Sequence, residues 1–249
     1  MSARSLADVR SALAGVDGWL SDDQVARLYA VAAAMRDGDQ IVEIGSFRGR
    51  STIVLAGAAA DGVSVVAIDP HAGNDRGPQE ISGFAAEAAD DHAVFVANLD
   101  AAGVADRVRH IREFSDLATA EVPGPIAMLY VDGAHRYGPA RADIRTWGGR
   151  VRPGGTMLIH DAFSSVGVTL AITRELILGR RFRYVGRSRS LAEYRADLET
   201  DGTSVLGNSA RQIAQLAWFA RNVSLKVLLK AGGGRLIGRL TGRIPEWPY

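Results

Sequence analysis

The chain contains no cysteine. Disulfides, zinc–thiolate sites and cysteine nucleophiles are therefore excluded. It also lacks a long apolar run: no window approaches the roughly 20 apolar residues of a membrane span. Its opening residues, MSARSLADVRSALAGVDGWL, carry acids and no continuous apolar stretch. They do not read as a secretory signal, and a cytoplasmic setting is expected. The formal net charge is only +1, so global charge points to no particular partner. The loops that cradle phosphates are missing too. Neither G-x-G-x-x-G nor Gly-Lys-Ser/Thr follows the first apolar strand.

What is present suits a globular protein. The 249 residues are 47% hydrophobic and 23% charged, enough for one large α/β domain or two small ones. Charge is unevenly spread. From Gly207 onward Arg211, Arg221, Lys226, Lys230, Arg235, Arg239 and Arg243 stand against a single acid, Glu246, which leaves residues 1–206 net acidic. A basic tail can meet nucleic acid or an anionic membrane. Apolar residues interleave these charges, which favours docking on the protein's own body or on a twin subunit. The expected division is a domain over 1–206, including N-terminal helices within 1–38, and a C-terminal amphipathic helix with a basic tail over 207–249.

Periodicity predicts helices over Ser5–Ala14 and Ser21–Arg36, the second capped by Ser21 with acids on its first turn. Strands are predicted at Gln40–Ile44, Val63–Ile68, Val108–Ile111, Ile126–Val131 and Thr156–Ile159. Between them lie helices Thr52–Ala60, Glu80–Ala102 and Pro139–Trp147, a polar loop Pro70–Pro78, and a Pro-Gly-Gly turn at 153–155. A helix Val166–Leu178 and an antiparallel pair, Phe182–Val185 with Leu191–Tyr194, complete the body. One amphipathic helix, Ser209–Lys230, then carries Trp218 and Phe219. The alternation reads as an α/β fold: three layers, doubly wound around a mostly parallel seven-stranded sheet, with N-terminal helices and a C-terminal helical extension.

Functional residues belong at the C-terminal ends of the parallel strands, where open α/β sheets form their crevice. The run IVEIGSFRGRST puts Glu43 in a strand and Gly45 and Gly49 at a helix entry. Glycines let the backbone turn sharply and a ligand approach closely. Phe47 stands where a dinucleotide loop would need its middle glycine, so a ligand without phosphate is expected. Asp69 ends the second strand, where an acid accepts hydrogen bonds from ribose hydroxyls. Asp132 and Asp161 end the fourth and fifth strands and share one crevice with His135 and His160.

These residues resemble a known family. VEIGSFRGRST and Asp69 are similar to the first motif and ribose acid of class I S-adenosylmethionine-dependent methyltransferases. The stretch VDGAHRYGPARADIRTWGGRVRPGGTMLIHDAF is similar to the macrocin O-methyltransferase and cephalosporin-hydroxylase-like subgroup, and the likeness spans about residues 40–194. The resemblance implies that Glu43, Gly45, Ser46, Phe47, Gly49 and Ser51 surround the methionine moiety of S-adenosylmethionine, and that Asp69 holds the ribose. It places Ser115, with Asp116, beside the adenine and Asp132 at the border of the cofactor. Sugar-modifying members bind Mg²⁺ through an acid after the fourth strand and an acidic pair after the fifth. Here the first is Asp132, and the pair is His160–Asp161.

Asp132 and Asp161, with His160, are thus the candidate ligands of Mg²⁺ or Mn²⁺, an imidazole suiting Mn²⁺ better. In a second reading His160 orients Asp161 or binds substrate, with no metal. Methyl transfer to an alcohol must remove a proton, so His135 is the expected general base beside Asp132. His71, in DPHAGND, is a candidate substrate contact together with His135 and His160. His92 and His110 fall in helix and strand patterns and read as structural.

The expected activity is O-methylation of a sugar or oligosaccharide hydroxyl, assisted by a divalent metal. A small-molecule catechol or natural-product O-methyltransferase, or a non-catalytic S-adenosylmethionine-binding subunit, are the alternatives. A nucleic-acid base methyltransferase would want an Asn/Asp-Pro-Pro-aromatic turn where Asp132-Gly133-Ala134-His135 stands, so nucleic acid is a disfavoured partner. The C-terminal helix is expected to form a homodimer interface; a lid and a membrane-surface anchor are the other readings.

Overall fold

The computed structural model describes residues 3–73 and 85–230. Two helices come first, α1 (Leu6–Ala12) and α2 (Asp22–Ala33). The side chain of Ser5 caps α1, and Ser21 with Gln24 forms a capping box on α2. Then follow β1 (Gln40–Ile44), α3 (Arg50–Ala58), β2 (Ser64–Ile68), α4 (Ala85–Ala101) and β3 (Val108–Ile111). The second half runs β4 (Ile126–Val131), α5 (Tyr137–Thr146), β5 (Val151–Ile159), α6 (Val166–Ile172), β6 (Arg183–Ser188), β7 (Leu191–Arg195), α7 (Gly202–Ile213) and α8 (Gln215–Lys230). The expected loop residues 74–78 and the expected helix start at Glu80 lie outside the described residues, as does the tail 231–249.

The seven strands form one sheet in the order β3-β2-β1-β4-β5-β7-β6. β1 to β5 run parallel and β7 is antiparallel to both β5 and β6. The expected doubly wound, mostly parallel architecture is the observed one. Strand order reverses between β1 and β4, which opens the crevice at their C-terminal ends.

Both faces of the sheet are covered, so the central strands are apolar throughout. Successive side chains alternate between two cores. Val42, Ile44, Leu129, Val131, Met157 and Ile159 pack on one side with Trp147, Phe163 and Ile172. Ile41, Met128, Tyr130 and Leu158 face the other side with Leu28, Ile53, Leu55 and Phe95. Glu43 shares the second face, beneath α3, because it follows Ile41 by two residues.

Three local expectations are corrected. Pro153-Gly154-Gly155 is not a turn before a short strand but lies inside β5, where the pairing shifts between Ile126–Val151 and Met128–Thr156. A bulge absorbs a proline that cannot donate to the ladder, and Gly154 adopts φ +75° there. The helix after Val166 widens at Thr173–Ile177, which are π-helical. The single C-terminal helix is two helices, parted at Ala214. Asp201 starts the first by accepting from Ser204 N at 3.0 Å, earlier than the apolar pattern implied.

The two C-terminal helices dock by buried amides. The fully buried Asn208 of α7 accepts from Tyr184 N at 2.8 Å and donates to Phe182 O at 3.0 Å, tying α7 to β6. Asn222 of α8 donates to Phe163 O at 3.4 Å. Trp218 and Phe219 pack against the main core, and Arg187 stacks on Trp218 at 3.8 Å. Asn208→Ala removes both partners of two buried backbone groups, so it should lower stability by about 2–4 kcal/mol. Urea unfolding followed by circular dichroism would check this; a change within experimental scatter would show that α7 is not anchored there.

Candidate active site

The expected cofactor half of the crevice is built by β1, β2 and the loop into α3. Gly45 and Gly49 both have φ +86°, the left-handed region that glycine reaches without strain. At Gly45 space is also decisive: a Cβ there would lie 2.2 Å from the carbonyl oxygen of Asp132. The Asp69 carboxylate clamps this loop. One oxygen accepts from Ser46 N at 2.9 Å and Phe47 N at 2.8 Å, and the other from His71 N at 2.7 Å. A carboxylate has about four acceptor positions, so Asp69 retains capacity for a hydroxyl pair. The Ser46 hydroxyl is buried and has no hydrogen-bond partner among the described residues. An orphaned hydroxyl beside a clamped glycine loop fits a polar ligand such as the amino-acid end of S-adenosylmethionine.

Glu43 and Ser51 lie deeper. Glu43 is fully buried and both its oxygens accept hydrogen bonds, from Ser51 and Thr52 of α3. Burial pushes its pKa up to about 8, with Asp132 and Asp69 adding to the rise against the two hydroxyls. Ser115 is tied to α5: its hydroxyl donates to Asp143 at 2.5 Å, and its carbonyl accepts from Trp147 Nε1 at 3.1 Å. Burial raises Asp143 to about 6. His71, expected to meet substrate, instead turns its ring inward. It packs on His92, His110 and Phe95 with ring centroids 5.0–5.3 Å away. Burial and the neighbouring imidazoles hold His110 down at about 4, and the cluster packs as a support behind Asp69.

The expected acceptor half lies at the ends of β4 and β5. Asp132 N continues the β1 ladder to Ile44 O at 2.8 Å, and His160 N continues the β4 ladder to Val131 O at 2.9 Å. Asp132, His160, Asp161 and His135 are brought together. His160 Nδ1 lies 3.1 Å from Asp132 Oδ1 and 3.8 Å from Asp161 Oδ2. His135 Nε2 lies 3.1 Å from the same Asp161 oxygen. Asp161 has φ +53°, an uncommon conformation for a side-chain-bearing residue, which turns its carboxylate back over the strand end. Burial opposes charge on His160, but the two carboxylates outweigh it and hold its pKa well above the ordinary imidazole value. Burial likewise opposes charge on Asp161, and His160, His135 and Lys226 outweigh it and hold that carboxyl below the usual range.

The divalent cation implied by the resemblance does not fit this arrangement. Asp132 Oδ2 accepts from the Tyr130 hydroxyl at 2.7 Å, and its Oδ1 faces the His160 imidazole. Mg²⁺ requires several oxygens converging at about 2.0–2.1 Å. Among the described residues, no group of three or more His, Asp or Glu could hold a metal ion.

Comparison with known proteins agrees with the fold. Residues 42–162 match a family model described as a methyltransferase domain. The fold is that of the class I S-adenosylmethionine-dependent methyltransferases. The methyltransferase fold is shared with a cofactor-bound protein of MTB, Rv0187, at 21% identity and TM-score 0.53, over 77% of this chain and 87% of that one. It is shared with an O-methyltransferase from Bacillus cereus in complex with SAH, at 17% identity and TM-score 0.50, over 76% and 89%. The O-methyltransferase NovP is 16% identical with TM-score 0.55, over 71% and 81%. At these identities the likeness is one of fold.

Three residues of this crevice had no signal strong enough to single them out in the sequence. Trp19, between α1 and α2, stacks on Phe47 with ring centroids 5.2 Å apart, so the N-terminal segment reaches the glycine loop. Tyr130 looked like another apolar strand residue; its place two before Asp132, on the same face, was the only hint. Lys226 of α8 donates to Ser164 O and Oγ at 3.1 and 3.0 Å and faces Asp161 electrostatically.

Glu43 generates a pH prediction for the cofactor-free protein. Its proton is retained in the fold up to about pH 8 but leaves an unfolded glutamate near 4.5. Between those values the unfolded chain binds fewer protons, so stability falls as pH rises through the window and levels off above it. The Glu43→Gln variant lacks this term. Its stability relative to wild type should climb from about pH 4.5 to about 8, read from denaturant midpoints; parallel curves would refute the buried neutral acid. Gly45→Ala should abolish S-adenosylhomocysteine binding in calorimetry, because its methyl would collide with Asp132 O. Retained affinity would mean that the two strand ends part easily.

Proposed function

We propose that this methyltransferase transfers a methyl group to a hydroxyl of a sugar or oligosaccharide, with His135 as general base. The observation that carries the reading is the His135–Asp161 pair, 3.1 Å apart at the mouth of the crevice, with His135 about one-third exposed. Nε2–H of His135 donates to Asp161, which leaves Nδ1 to take a proton from the acceptor. Asp161 then stabilises the imidazolium that forms, as an orienting carboxylate does in a catalytic triad. Asp161 is kept ionised for that task by His160 and Lys226.

The cofactor belongs against the glycine loop, with Ser46, Phe47 and Gly49 about its amino-acid end, Asp69 at its ribose and Ser115 toward its adenine. Glu43 and Ser51 act behind the loop by bracing the first turn of α3. Bound S-adenosylmethionine supplies a methyl already activated by its sulfonium. The protein's part is then to align the acceptor oxygen, exclude water and remove the proton. Asp132, held by Tyr130 and His160, borders both halves and can orient the acceptor.

Sugar as the acceptor class is supported by the likeness of Val131–Phe163 to the macrocin-type subgroup. A homodimer through the C-terminal extension stays our reading, narrowed to the outward residues Val227 and Leu228, since Trp218 and Phe219 are spent on the protein's own core. No helix among the described residues is long and apolar enough to cross a membrane.

A labelled-methyl assay over parallel sugar and phenol panels tests the proposal. Transfer to a sugar hydroxyl is expected, and His135→Ala should lower the rate by about 100-fold or more while S-adenosylhomocysteine affinity stays unchanged. Cofactor binding with no transfer to any hydroxyl would reduce the protein to a binding subunit.

A further inference from the structure

We propose that this methyltransferase works without a bound divalent cation, because the His160 side chain fills the place between Asp132 and Asp161 that the cation would hold. The inference rests on the reading of this crevice as the acceptor site. Its basis is geometric. His160 Nδ1 is within 3.1 Å of one acid and 3.8 Å of the other, and the residue is only 4% exposed. Its backbone is pinned on both sides: His160 N donates to Val131 O at 2.9 Å, and Ala162 N donates to Ser190 O at 2.9 Å. The imidazole is therefore held at the strand end between the two carboxylates rather than swung in from a loop.

The remaining donors point the same way. Asp132 gives its second oxygen to Tyr130, and Asp161 gives Oδ2 to His135. Glu43, the third acid behind Asp132, is closed off by Ser51 and Thr52. Lys226, 65 residues farther along the chain, brings an ammonium to the Asp161 side. Two carboxylates thus meet an imidazole between them, a second imidazole at the mouth and a lysine beyond. A doubly charged ion entering this set would lose the attraction of acids already satisfied and would be repelled by Lys226. An oxygen-seeking ion would also find a nitrogen donor in its central position.

Mn²⁺ electron paramagnetic resonance on the full-length, chelator-treated protein tests this, with and without S-adenosylhomocysteine. Wild type should show no saturable Mn²⁺ site, and its methyl transfer should be unchanged by chelator. The His160→Asp variant replaces the imidazole with oxygen donors and should gain one Mn²⁺ site. A stoichiometric Mn²⁺ site in wild type, lost in Asp132→Asn, would overturn the proposal. So would a folded His160→Asp variant that gains none. If that variant does not fold, the wild-type titration decides by itself. Calorimetry with S-adenosylhomocysteine keeps the two readings apart: failure to bind it would sink the methyltransferase site, whereas binding it together with Mn²⁺ would sink only the metal-free inference.

Discussion

The two halves of the crevice are joined where β1 and β4 end, at a contact that tolerates no side chain. The carbonyl oxygen of Asp132 lies 2.2 Å from where a Cβ on Gly45 would be. One ladder bond beyond the strands, Asp132 N to Ile44 O, holds that approach. Everything chemical in the site is positioned from it. The glycine loop leaves on one side toward Asp69, and the Asp132 side chain leaves on the other toward His160. A methyl donor and an acceptor must meet within bonding distance of one another, so under the proposed function the closeness of these strand ends is a requirement.

Outward from that contact, carboxylates organise both halves, in two different ways. Asp69 uses its charge to collect backbone amides, which shapes the loop and leaves capacity for a ligand hydroxyl. Asp132 and Asp161 use theirs to collect side chains: Tyr130, His160, His135 and Lys226. Buried acids are costly unless paired and hydrogen-bonded, and each of these is. Glu43 takes the other route. Enclosed beneath α3 with only hydroxyl partners, it stands as a neutral acid near neutral pH.

Much of the fold was legible because its signals are local or periodic. β1 and β4 begin and end where their apolar runs do, since a strand buried on both faces has a nearly continuous hydrophobic sequence. The capped start of α2 was equally plain. Pro153-Gly154-Gly155 was misread because the same residues serve a turn or a bulge, and only pairing with β4 separates the two. The long C-terminal helix was misread because amphipathic spacing continues across Ala214, while the docking of Asn208 on β6 is a tertiary event. His71 carried a polar, strand-end signature, yet packing with His92, His110 and Phe95 draws its ring inside.

The sequence by itself determined the order of strands and helices, the glycine loop and the placing of Asp69, Asp132 and Asp161 at strand ends. Each of these follows from residue type and spacing along the chain. Only the tertiary structure decided the pairing of the polar groups. His160 could have faced solvent, substrate or a metal; the register of β5 against β4 and the left-handed turn at Asp161 put it between two carboxylates. Lys226 of α8 and Trp19 of the segment between α1 and α2 reached the site from parts remote in sequence. Periodicity records which face of an element is buried, but not what it is buried against, and the charge of a site is set by its neighbours in space.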